Sequence, residues 1–188
     1  MPSCINPLSY GLLLLCLQFG PTVAEAGDFA ARIDYADLEY GDAGYTVQAH
    51  IDYRLSPTAK EALHKGVPLT WNVSIELRQP GWLWDSVVHR HKLAYSLQFH
   101  ALLNQYAVQT PYDHSEMFLT LSAALNFLAT VHDDTPIPSD VLQPGKPYLL
   151  AVKTQFNREL LPIPLRPVAY LDHRWFLSST WHIWPIQK

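Results

Sequence analysis

The chain has 188 residues, nearly half of them apolar, and carries a formal net charge of −4 at neutral pH. That mildly acidic, well-mixed balance has no run of Lys or Arg, so it lacks the electrostatic footprint of a nucleic-acid binder. An aromatic content of 12% belongs to a chain that buries a core and excludes a disordered one.

The opening segment reads as an export signal. Leu8 to Phe19 is almost unbroken apolar sequence, followed by Gly20-Pro21 and by Ala24-Glu25-Ala26, a small-x-small pattern suited to a signal peptidase. The run meets the Gly-Pro break before the roughly twenty apolar residues that a spanning helix needs. An uncleaved N-terminal anchor is the alternative. Leu15 stands just before Cys16, where a lipoprotein site takes a small residue, so lipid attachment is not expected. With residues 1–26 as signal peptide, residues 27–188 form a single β-rich domain in the periplasm. Cys4 and Cys16 both leave with the signal, which excludes disulfide partners, thiol nucleophiles and Cys-ligated zinc or iron–sulfur centres. Stability then rests on packing, which a domain of about 160 residues allows by burying roughly 70% of its unfolded surface.

Arg32 to Tyr40 and Tyr45 to Leu55 are predicted as the strands of a hairpin joined through Gly41-Asp42-Ala43-Gly44. In the second, Tyr45, Val47, Ala49, Ile51, Tyr53 and Leu55 alternate with polar residues, the period of a strand with one wet face. Ser56-Pro57 opens a short helix that Gly66 stops. Leu69 to Arg78 alternates again, with Trp71, Val73, Ile75 and Leu77 on its apolar side. Pro80-Gly81 turns the chain into Trp82-Leu83-Trp84, after which Val87 to Ala101 is a long strand. A hairpin at Leu102 to Gln105 leads into Tyr106-Ala107-Val108, and Thr120 caps a second helix running to about Ala129. The proline-rich stretch from Asp133 to Pro147 is predicted as a surface loop. Tyr148 to Phe156, Val168 to Leu171 and Trp175 to Trp184 complete the strands.

About seven to eight strands spaced by turn signals, with two short helices, predict a mainly β domain: an antiparallel sandwich or partly open barrel. No βαβ rhythm appears, so a Rossmann-type nucleotide crevice has nowhere to form. No nucleotide or other cofactor is expected.

The chemistry-bearing residues are sparse. His89 and His91 lie two apart in a predicted strand and project to one face, a spacing that β-sheet metal sites use. With His50 or His100 completing the set they form the alternative reading, a metal-dependent enzyme, although His100 has the opposite parity. Gly-x-Ser-x-Gly, Ser-x-x-Lys and His-Glu-x-x-His are absent from the sequence, and no catalytic residue is assigned. Asp34, Asp37, Glu39 and Asp42 crowd the first hairpin, a pattern that suits a solvated strand edge better than a cation site. Asn72-Val73-Ser74 matches a glycosylation acceptor but falls inside a strand. Trp71 is placed in the core by alternation. Trp82, Trp84, Trp175, Trp181 and Trp184 gather near turns and the C-terminus, and exposed indoles among them would form a binding surface.

The segments Gly66-Val67-Pro68-Leu69, Trp82-Leu83-Trp84, Tyr95-Ser96-Leu97-Gln98-Phe99-His100-Ala101-Leu102, Leu161-Pro162-Ile163-Pro164-Leu165-Arg166 and Trp175-Phe176-Leu177-Ser178-Ser179-Thr180-Trp181 carry a resemblance. Together they resemble an uncharacterised proteobacterial family of exported domains, domain-of-unknown-function family 4390, from about Ile33 onward. The resemblance implies an extracytoplasmic site in a Gram-negative bacterium and brings no activity or ligand. It also implies an envelope signalling accessory, because such genes lie beside a membrane sensor kinase in many genomes. The resulting expectation is a non-enzymatic periplasmic domain that binds an envelope component or an inner-membrane protein. The candidate binding residues are Trp82, Trp84, Trp181, Trp184, His100 and Arg166.

Overall fold

The computed structural model describes residues 29–41 and 44–186. The expected signal segment with Cys4 and Cys16, and the Asp42-Ala43 turn, lie outside the described residues. Strands β1 (Ala31–Gly41) and β2 (Gly44–Tyr53) pair antiparallel down to Gly41 opposite Gly44. The alternation in β2 does what its period dictates, burying Val47, Ala49, Ile51 and Tyr53 and leaving Thr46, Gln48, His50 and Asp52 half-exposed. Helix α1 (Pro57–His64) begins where the Ser56 hydroxyl accepts a hydrogen bond from the Ala59 amide at 3.0 Å, and it stops before Gly66 at φ +84°. It carries the chain to the second sheet.

That sheet is built from β3 (Leu69–Gln79), β4 (Ser86–His100), β5 (Gln105–Gln109) and β6 (Ser115–Phe118), continuing after an interruption with β8 (Tyr148–Phe156) and β9 (His182–Ile186). Helix α2 (Leu121–Ala129), capped by the Thr120 hydroxyl, returns the chain to the first sheet as β7 (Thr130–Ile137). Nine strands among the described residues thus form a three-stranded sheet, β1-β2-β7, and a six-stranded one, β6-β5-β4-β3-β8-β9. All the pairings are antiparallel. One continuous hydrophobic core draws on both sheets and on the helices. The protein is mainly β and sandwich-like, as its alternation and turn spacing predict.

Three expectations are corrected. The stretch expected to be a loop from Asp133 opens instead as strand, its first residues belonging to β7. Val131, Asp133 and Ile137 are buried there, and the period is hidden because a carboxylate holds one inward position and the register with β2 shifts between Asp133 and Ile137. Pro136 is tolerated because β7 is an edge strand. Val168 to Leu171 is not a strand but part of helix α3 (Arg166–Leu171), started by Pro167 in its first turn, where a missing N–H costs nothing. Of the closing stretch, Trp175 ends a 3-10 turn, and only His182 onward joins the sheet. β6, four residues long, is a strand too short to signal itself by alternation.

The segment between α3 and β9 plugs one end of the sandwich. Trp175 stacks on Phe156 at 6.0 Å, and the Trp71 indole N–H donates to the Leu177 carbonyl at 3.0 Å. Ser178 and Ser179 hydroxyls accept from the Phe156 and Thr154 amides at 3.0 Å, prolonging the β8 ladder with side chains. Tyr53, also against Trp71, bonds Thr154 Oγ1 at 3.3 Å, and burial pushes its phenol well above the ordinary value of 10.0, so it stays protonated.

At Gly44 the backbone φ is +131°, and an added Cβ would stand 2.3 Å from the Ile137 carbonyl oxygen. Gly44→Ala is therefore expected to push β7 away from β2 and cost about 1–3 kcal/mol, read as a lower urea midpoint with the sheet content retained by circular dichroism.

Candidate functional site

β3 and β4 form the longest hairpin of the six-stranded sheet, and its turn spans residues 80–85. The chain reverses so sharply at Gly81 that a Cβ there would lie 2.2 Å from the Trp84 carbonyl oxygen, so only glycine fits. The reversal leaves three consecutive apolar side chains pointing to solvent: Trp82 is 100% exposed, Leu83 68% and Trp84 75%. Val87 and Val88, at 41% and 38%, continue the apolar surface along the first residues of β4. At about 150–250 Å² per aromatic side chain, the two indoles alone present roughly 260–440 Å². That is as large as the biggest apolar patch on a typical monomer, and patches of that size are commonly functional.

The stem below this tip is ionic on its outer face. Glu76 is buried between Arg78, whose Nη2 donates at 2.7 Å, and Arg90, whose Nε donates to the other oxygen at 2.7 Å. The Arg78 guanidinium lies over the Trp181 ring at 4.6 Å, with Lys153 Nζ at 5.9 Å. Trp181 is half-buried as a cation–π platform. Trp184 stacks on His182 at 5.8 Å and packs against the core. The four candidate tryptophans therefore separate: Trp82 and Trp84 offer free faces, while Trp181 and Trp184 serve internal contacts.

His100 lies at the far end of β4 from the tip, half-buried. Arg166 Nε donates to the Leu161 carbonyl at 2.8 Å, satisfying a backbone acceptor. His100 is fourteen residues along β4 from Ser86, at the opposite end from the tip, and Arg166 begins helix α3.

His89 and His91 do share a face. They pair with Leu77 and Ile75 and so turn inward, toward the three-stranded sheet. His91 Nδ1 meets Asp133 Oδ2 at 2.6 Å across the two sheets, and the Asp133 side chain is only 1% exposed. Its other oxygen accepts from Tyr112 Oη at 3.1 Å and from the Thr135 amide at 3.0 Å. Beside Tyr112 opens a cleft of about 300 Å³ that is also lined by Tyr95, His114, Phe127 and His132. An imidazole held by a buried carboxylate is half of a nucleophile-activating arrangement. Here, however, the hydroxyls of Tyr112 and Thr135 hydrogen-bond to each other at 3.2 Å and Tyr112 donates to the carboxylate, so the cluster is a clasp between sheets. Among the described residues no three His, Cys, Asp or Glu side chains gather closely enough to hold a metal ion.

Asp133 and Val87-Val88 were missed from sequence. The first was hidden in a loop-like composition, and the second needed the strand order to show which part of β4 lies at an edge.

Over residues 29–185 the sequence matches a family described as a domain of unknown function, DUF4390. No curated protein and no solved structure matches it.

Proposed function

This chain belongs to the DUF4390 family, and on that premise we propose that it is a non-enzymatic binding domain of the bacterial envelope that grips another protein with the Trp82-Leu83-Trp84 tip. The observation that carries the reading is the full exposure of Trp82 beside a largely exposed Leu83 and Trp84. Two indoles held in water by a rigid glycine turn gain free energy only when something covers them. Export to the periplasm is part of the proposal and is supported by the Leu8–Phe19 apolar run and the Ala24-Glu25-Ala26 pattern.

The position of the tip supports a protein partner. Ala31 pairs with Tyr53, whose ring lies 5.1 Å from Trp71, so the chain enters at the plugged end of the sandwich. From Trp71 to Gln79, β3 rises about 26 Å at roughly 3.3 Å per residue, and the tip lies beyond that. An anchor left on the N-terminus would thus hold the tip away from its own membrane surface, toward the periplasmic part of a neighbouring protein. An accessory subunit of a membrane sensor kinase is the finer form of this reading.

The test is a photoreactive residue at Leu83 of the exported full chain, with crosslinking in living cells. A discrete protein adduct is expected, and Trp82→Ser with Trp84→Ser should reduce it at least tenfold while the thermal midpoint stays within about 1 °C, because exposed side chains contribute little to stability. Retention of the adduct in the double variant would remove the tip from the interface.

A further inference from the structure

Resting on that docking reading, we infer how the partner is held: it adds an extended segment as a new strand along the open edge of β4, beginning next to the tryptophan tip.

The strand register defines the edge. β4 pairs with β3 along Ser86 to Leu97, but β5 joins its other side only from Ser96 to His100. Among the described residues, the backbone of β4 from Ser86 to Ala94 therefore has a strand ladder on one side only. Unpaired N–H and C=O groups along a strand are a template for another chain, and addition of a strand is a recurrent mode of peptide recognition.

The other edges are blunted by charge, proline or short length, and β4 is blunted by Arg90 and Lys92 only beyond Val88. β1 carries Arg32, Asp34, Asp37 and Glu39; β7 and β9 contain Pro136 and Pro185, which cannot donate to a ladder. β6 has only four residues. In β4 the charged residues Arg90 and Lys92 come later, whereas Ser86-Val87-Val88 has neither charge nor proline. The register also slips between Leu77 and Arg78, where Arg78 faces Val87 and Leu77 faces His89. Val88 is thus the extra residue of a bulge placed beside the functional surface.

This stretch lies next to Trp82, Leu83 and Trp84, separated from them only by Asp85, and the combination selects the occupant. A bilayer would accept the indoles, but its hydrocarbon cannot satisfy free backbone donors and acceptors. An extended polypeptide satisfies both, with main-chain bonds to β4 and apolar side chains against Val87, Val88 and the indoles. The partner segment should accordingly read as alternating apolar and polar residues.

A random peptide library displayed on phage, panned against the purified full chain, supplies a probe. Selected peptides should slow amide exchange at alternate residues between Ser86 and Arg90 by at least tenfold. Val88→Lys, or Val87→Lys should the first fail to fold, places a charge on the edge and should weaken binding at least tenfold. Protection confined to Trp82–Asp85 would overturn the added strand and leave tip docking intact. Failure to select any peptide, or partition into phosphatidylglycerol vesicles in its place, would also overturn it. If in addition the Leu83 photocrosslink yields no adduct, the docking reading falls with it.

Discussion

Replacing Trp71 by Ala is expected to destabilise the protein by about 3–5 kcal/mol, the range for emptying a fully buried aromatic site. Trp71 is fully buried, with ring contacts to Tyr53 at 5.1 Å and Phe156 at 5.4 Å. Its indole N–H is also the donor for the Leu177 carbonyl, so truncation leaves a buried acceptor unpaired as well as a cavity. That carbonyl belongs to the segment that closes the sandwich, and its loosening should let the Trp175 to Trp181 stretch exchange amide protons faster than β2. Trp71→Phe keeps part of the volume and loses the donor, so an intermediate cost is expected. Guanidinium unfolding followed by circular dichroism measures both, and a cost below about 1 kcal/mol for the alanine variant would mean that the plug is held elsewhere. The contrast with Trp82 is direct, since the same residue type at full exposure should cost almost nothing.

Asp133→Ala is the second large effect, expected at about 2–4 kcal/mol. The buried carboxylate accepts from His91, Tyr112 and the Thr135 amide, and hydrogen bonds to a charged group contribute more than neutral ones. Removal strands three partners and uncouples β4 from β7 at the rim nearest the tip. His91→Ala should cost less, because its side chain is 29% exposed and water replaces part of what it loses. A double-mutant cycle between the two positions separates the bond from the burial. A coupling above about 1 kcal/mol is expected for partners in direct contact, and additivity would show that the clasp carries no energy of its own. Since the edge lies on β4 and the tip on the turn that leads into it, the same variants should also reduce partner capture, by less than the tryptophan variants do.

How much was legible follows residue by residue. Val47, Ala49, Ile51 and Tyr53 announced β2, since a strand buried on one face must alternate. Ser56, Thr120 and Gly66 marked helix ends because caps are local chemistry. β7 escaped because Asp133 occupies an inward position that pattern reading reserves for apolar residues, and its acceptability depends on His91, forty-two residues away. Val168 to Leu171 looked strand-like by composition, and Pro167 outweighed it. The candidate surface was half visible: Trp82-Leu83-Trp84 after Pro80-Gly81 cannot turn every side chain inward, but the sequence does not say that Trp181 serves Arg78 while Trp82 serves nothing within the fold.

By itself, then, the sequence determined the quantities that depend on near neighbours: the strand periods, the caps, the tight turn at Gly81 and family membership over residues 29–185. Only the tertiary structure decided which tryptophans lie open, that Asp133 closes on His91, and that among the described residues β4 pairs with β3 alone from Ser86 to Ala94. Exposure and edge position are properties of what lies across a gap in space, and strand order brings together residues whose separation along the chain carries no local signal.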